Sequence, residues 1–127
     1  MDKHQPAATS AIVADEHWES ALEQALDQTA GLPTVDVAIL FASSFYAEDF
    51  PALLARLQQA TGAPILLGCS GETIIGQGLE LEDVPSLSLL LLSLPGAILH
   101  PVRLTQSMIN LCTTPLSWRA RLDVQLD

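Results

Sequence analysis

The sequence predicts an α/β fold: a mixed β-sheet with a right-handed βαβ unit followed by an antiparallel hairpin, with helices packed on the sheet. Three observations carry this. Val35–Ala42 (VDVAILFA) and Ile65–Leu67 are apolar runs of nearly continuous character, as in strands covered on both faces. Between them, Phe50, Leu53, Leu54 and Leu57 recur at helical spacing. A helix between two such runs is a βαβ unit, and its crossover is almost always right-handed. Beyond them, Ser86–Leu94 and Ala97–Leu104 are separated only by Pro95-Gly96, which suits a type II turn and allows only an antiparallel connection.

Taken in order, residues 1–10 (MDKHQPAATS) are polar and small and read as a flexible N-terminus. Ser10 or Asp15 is placed to cap a first helix running to about Ala30, with Ala14, Trp18, Ala21, Leu22, Ala25 and Leu26 on one face. Asp15, Glu16 and Glu19 suit the positive end of its dipole, and Gly31 and Pro33 stop it. The strand Val35–Ala42 exits into Ser43-Ser44-Phe45-Tyr46. Asp49 caps the second helix, Pro51 is tolerated in its first turn, and Gly62 closes it before Pro64 opens the next strand. Glu80, Glu82 and Asp83 read as a solvated loop. Residues 105–127 show no clean period.

The chain has 127 residues, enough for one domain of ordinary size, and 49% of them are apolar, so a buried core is within reach. Fifteen acids against five bases give a net charge of −10. That excludes a nucleic-acid partner, which needs clustered Lys and Arg, and an anionic membrane surface. The longest apolar run, Leu87–Leu94, is far short of the roughly 20 residues of a spanning helix. No apolar stretch of signal-peptide length opens the chain. These features predict a cytoplasmic protein with reduced thiols. His4, His17 and His100 are scattered, and Cys69 and Cys112 lie far apart, so no metal ligand set and no cofactor is expected.

The stretch Pro64–Gly78 (PILLGCSGETIIGQG) is the best candidate for a site. A buried strand that ends in small residues brings backbone N–H groups to the sheet edge, and open α/β sheets bind ligands at the carboxyl ends of their strands. Parallel pairing would bring Ser43 and Ser44 to the same edge as Gly68, Cys69, Ser70, Gly71 and Glu72. The plainer reading is a glycine-rich turn that reverses the chain. Gly68-Cys69-Ser70-Gly71-Glu72 lacks the last glycine of a serine nucleophile elbow, and Gln77-Gly78 stands where a phosphate loop needs Lys and Ser/Thr. Cys69 reads in three ways: a nucleophile, a residue lining a ligand, or a small buried hydrophobe.

Four segments together resemble the N-terminal domain of the FIST family: AIVADEHWESALEQALDQ, DVAILFASSFYAEDFPALLARL, APILLGCSGETIIGQGLELE and PSLSLLLLSLPGAILHPVRL. The third is the most specific. The resemblance implies a sensory domain of a signal-transduction protein, non-catalytic, that binds a small ligand such as an amino acid. It brings no assigned binding residues, so Ser43, Ser44 and Gly68–Glu72 remain a geometric expectation. It also implies a domain longer than this chain. Residues 11–119 are therefore expected to form a partial FIST N-like domain, followed by a tail at 120–127, with a dimer or a partner domain completing the sheet. The leucines of Ser88–Leu94 would otherwise stand exposed. Two rival functions are a structural or protein-interaction module working through exposed sheet edges, and a thiol enzyme built on Cys69.

Overall fold

The computed structural model describes residues 4–123. The chain divides into two units, Met1–Ala97 and Ile98–Asp127. The first contains the sheet. Its elements are β1 (Ala7–Ala14), α1 (Trp18–Gln28), β2 (Val37–Ser43), a 3₁₀ helix (Ser44–Asp49), α2 (Phe50–Thr61), β3 (Ile65–Gly71), β4 (Thr73–Gly76), β5 (Leu79–Glu82) and β6 (Ser86–Ser93).

Four strands form one sheet in the order β1-β6-β2-β3, and β4-β5 form a separate hairpin. β2 and β3 pair in parallel, with Val37 opposite Ile65 and Ser43 opposite Gly71. β6 runs antiparallel to both β1 and β2. The fold is thus the mixed α/β sheet with a βαβ unit, β2-α2-β3, and a following hairpin. The core lies on one face, where Ala11 and Val13 of β1, Ala38 and Leu40 of β2, and Leu87, Leu89 and Leu91 of β6 meet Ala21, Leu22 and Ala25 of α1 and Leu53 and Leu57 of α2. Those strand positions alternate, as a pleated strand with one helix-covered face requires.

Several elements depart from the sequence reading. Ala7–Ala14 is a strand where a flexible start and a helix were expected, and α1 begins only at Trp18. The strand holds through its register with β6, Ala7 opposite Ser93 through Ala14 opposite Ser86, rather than through its own small side chains. Asp15 sits just before α1 and still serves its first turn: its carboxylate accepts from the backbone N–H of His17 at 2.9 Å, from Ser20 Oγ at 2.7 Å and from Gln24 Nε2 at 2.9 Å. Asp49 is the N-cap position of α2 but makes no side-chain cap bond, while Pro51 in the first turn and a left-handed Gly62 at the end are as expected.

The hairpin is also displaced. The turn at Pro95-Gly96 forms, with Gly96 at φ +78° and the Ala97 N–H donating to Leu94 O at 3.1 Å, but Ala97–Leu104 is not a strand. β6 is paired on both sides, to β1 and β2, so no ladder position remains for a strand after it. The same pairing buries Leu87, Leu89 and Leu91, so Ser88–Leu94 is the sheet's interior and not an exposed edge. The hairpin is β4-β5 instead, with Gln77 and Gly78 both at positive φ as a two-residue type I′ turn demands. Glu80 and Glu82 stand exposed on it. It packs closely on the sheet's second face. Ile74 is buried, Gln77 Nε2 donates to Ser10 O at 2.8 Å, and a Cβ at Gly76 would lie 2.8 Å from Ser88 Oγ.

Among its described residues the second unit contains two short helices, α3 (Gln106–Leu111) and α4 (Pro115–Leu122). Thr105 and Thr114 cap them, accepting from the N–H groups of Met108 at 3.3 Å and Ser117 at 3.1 Å. Part of the expected tail, up to Leu122, is therefore helical. Residues 124–127 lie outside the described residues, as do 1–3 of the expected flexible start.

Candidate functional site

Among the described residues β3 is an edge strand, hydrogen-bonded to β2 alone. Ser43 and Gly71 stand opposite each other at the carboxyl ends of β2 and β3, so the expected convergence of the two exits occurs. Ser43 is buried, and its Oγ accepts from the Phe45 N–H at 3.3 Å, starting the 3₁₀ helix. Ser44 is exposed within that helix, and Glu72 is exposed at the bend after β3. The Gly68–Gly71 stretch is not a turn: it is the second half of the strand, with Gly68 opposite Leu40, Cys69 opposite Phe41 and Ser70 opposite Ala42.

A cavity of about 220 Å³ runs along the open edge of β3. Leu40 and Ala42 of β2, Phe50 and Leu54 of α2, and Leu66–Ser70 line it, so Gly68, Cys69 and Ser70 border it while Ser43, Ser44, Gly71 and Glu72 do not. Sequence reasoning missed the α2 wall. The signal was present in the apolar stripe of that helix. Leu53 and Leu57 are fully buried and suffice for the core, which leaves Leu54 40% exposed over the cavity.

Gly68 has a specific duty. Its φ is +152°, and a Cβ built there would lie 1.8 Å from the Leu40 carbonyl oxygen and 2.8 Å from its carbon. Only glycine lets β3 approach β2 at this point. Cys69 is exposed, which removes the reading of it as a small buried hydrophobe; Cys112 is buried, and both are free thiols. Among the described residues no group of three or more His, Cys, Asp or Glu is placed to hold a metal ion.

The parallel strands bring Asp15, after β1, to the same edge as Ser43 and Gly71. Tyr46, buried in the 3₁₀ helix, donates its hydroxyl to the Asp15 carbonyl, and the Asp15 N–H donates to Pro85 O at 3.0 Å. This ties the exits of β1 and β2 to the entry of β6. Burial, then the nearby Asp15 charge, pushes the Tyr46 phenol up to about 12. The hydrogen bonds from Ser20 and from the His17 N–H hold the Asp15 carboxyl below its ordinary value.

Against known proteins, a model of the FIST N domain matches residues 36–109, from the start of β2 into α3. That is more than half of the chain, and the protein belongs to the FIST N domain family. Its members are sensory, non-catalytic domains of signalling proteins. β1 and α1 precede the matched span. No curated protein sequence matches the chain. Among the described residues, no helix is long and apolar enough to cross a membrane.

Proposed function

We propose that the chain is a cytoplasmic sensory module that binds a small polar metabolite, an amino acid or a close relative, in the cavity along β3, and that it does no chemistry on it. The observation that carries the reading is the coincidence of that cavity with the glycine-rich run of the family's matched span. Gly68, Cys69 and Ser70 contribute backbone groups, a thiol and a hydroxyl along an edge with no strand beside it, and Phe50 and Leu54 supply an apolar wall. Unpaired N–H and C=O groups on an edge strand are ready partners for a ligand's carboxylate and ammonium. At about 220 Å³ the cavity is smaller than the 300–1,000 Å³ typical of drug-sized ligands, which favours a small metabolite. Ser43, Ser44, Gly71 and Glu72 do not line it; they lie beyond Ser70, around the carboxyl end of the strand pair, and would meet only a ligand long enough to reach past that residue. Binding signals only through a difference in affinity between two arrangements, here read out by an adjoining domain or protein.

Titration of the ¹⁵N-labelled chain with single amino acids tests this. Saturable amide shifts at Leu66–Ser70 and Leu54 are expected for one compound or a few; shifts elsewhere, or none, reject the site.

One observation supports a second reading, an interaction module. β3 carries no charged residue, and its own Leu67 is 51% exposed, with Phe41 of the adjoining β2 43% exposed. A strand of a second copy or of a partner domain would complete the sheet there. A chain that is dimeric in solution and indifferent to every small molecule favours it.

A further inference from the structure

A second cavity lies at the opposite end of the sheet, and its chemistry differs. β1, β2 and β3 run in one direction, so α1 and α2, which return the chain, both end at the strands' amino-terminal side. There a cavity of about 290 Å³ is bordered by Thr29 and Ala30 after α1, by Ala60 and Thr61 at the end of α2, and by Thr34 and Leu91. Each helix end leaves carbonyl groups without intrahelical partners and carries roughly half a negative charge. A Lys, Arg or His in the last turn commonly offsets that potential. Neither helix has one, and α1 carries Asp27 there instead.

The hydroxyls at this cavity are committed as donors. Thr29 Oγ1 donates to Ala25 O at 2.8 Å, and Thr61 Oγ1 donates to Leu57 O at 2.8 Å. A hydroxyl has one proton, so both oxygens have only lone pairs left to offer, and Thr61 Oγ1 already gives one of these to the Ala63 N–H at 3.3 Å. Thr9 Oγ1 already serves the Thr29 carbonyl, at 3.1 Å, and Thr34 Oγ1 is paired with Ser93 Oγ at 3.2 Å. The cavity therefore combines acceptors, two negative helix ends and apolar contact from Leu26, Leu32 and Leu91.

We propose that this cavity is a binding site for a small organic cation, a primary alkylammonium, whose three N–H donors meet the helix-end acceptors while its alkyl chain lies against the leucines. A carboxylate on the same molecule would face those acceptors, so a zwitterionic amino acid is disfavoured. The site is separate in place and in ligand class from the β3 cavity, and does not depend on it.

The test is an amide-shift titration of the full chain with n-butylammonium chloride, n-butanol and 4-aminobutanoate at matched ionic strength. Saturable shifts at Thr29, Gly31, Thr34 and Thr61 are expected for butylammonium, with at least tenfold weaker binding of the alcohol and the zwitterion. Ala60→Lys, at an exposed position, places an ammonium in the last turn of α2 and should weaken butylammonium binding at least tenfold while keeping the native spectrum. Should that spectrum be lost, Gln59→Lys, also exposed, takes its place. Equal binding of alcohol and ammonium overturns the proposal. So does the absence of a saturable shift well above millimolar concentration, or a lysine variant with unchanged affinity.

Discussion

Gly68→Ala is the sharpest perturbation of the strand pair that frames the β3 cavity. The added methyl would sit 1.8 Å from Leu40 O, and the obstacle is the backbone of a strand paired on both sides, not a side chain that can swing away. Two costs combine. Holding a non-glycine residue at φ +152° costs about 1–3 kcal/mol. Relieving the contact separates β3 from β2 locally, which forfeits one or two ladder hydrogen bonds at about 1 kcal/mol each. The sum is about 2–5 kcal/mol, a large share of the 5–15 kcal/mol typical of a domain. At about 4–8 °C per kcal/mol for a unit of this size, the melting midpoint should fall by roughly 10 °C or more. Gly78→Ala is the comparison: its φ is +77° but nothing lies within 4 Å, so only the backbone cost of about 1 kcal/mol remains. Thermal melts followed by circular dichroism measure both. A Gly68→Ala midpoint at or above that of Gly78→Ala would refute the reasoning, because the clash, added to a dihedral at least as costly, is what separates them.

Tyr46 is the chain's single tyrosine, so its ionisation can be followed by ultraviolet absorbance. It should titrate near 12 in the folded chain and near the ordinary 10 in denaturant. Because the folded value is raised, its contribution to stability is intact below pH 10 and lost as pH rises through about 12, and Tyr46→Phe should remove that loss. The same variant leaves the Asp15 carbonyl without its donor and should cost about 1–2 kcal/mol at neutral pH in a denaturant melt. Leu54→Trp fills the β3 cavity from a position already 40% exposed; it should preserve the melt and weaken any ligand bound there at least tenfold by titration. A thiol reagent should label Cys69 rapidly and Cys112 only as slowly as the chain opens, because one is exposed and the other buried. Fast labelling of Cys69 thus reports exposure and is no evidence for a thiol enzyme.

The parallel pair was legible because its signals are local. Val35–Ala42 carries the β-branched and apolar residues of a covered strand, and α2 has its proline, its leucine stripe and its terminal glycine in the expected places. β1 was not, because Ala7–Ala14 has few side chains that favour a strand; it is fixed by eight registered positions against β6, which lie far away in sequence. The role of Ser86–Ser93 was half legible. Its apolar run announced a strand, but no local pattern tells that both of its edges are filled by β1 and β2, and that fact decides why Ala97–Leu104 is not a strand. In α3 and α4 the legible signals were Thr105 and Thr114, hydroxyl caps ahead of segments too short to show a period. At the site, the topology brought Ser43 beside Gly71 as expected. The cavity lies further back along β3, because Gly68–Gly71 continues the strand instead of leaving it.

The central claim, that the chain binds a small metabolite through its folded β3 edge, is tested most directly by a thermal melt of the purified chain against a panel of amino acids and related metabolites. A ligand that binds only the folded state at about 100 times its dissociation constant adds about 2.7 kcal/mol, a shift of roughly 10 °C or more for a unit of this size. The account predicts a cooperative melt raised by one compound or a few, with the rise lost in Leu54→Trp. A cooperative melt that no compound moves, or a rise that survives in Leu54→Trp, would contradict it.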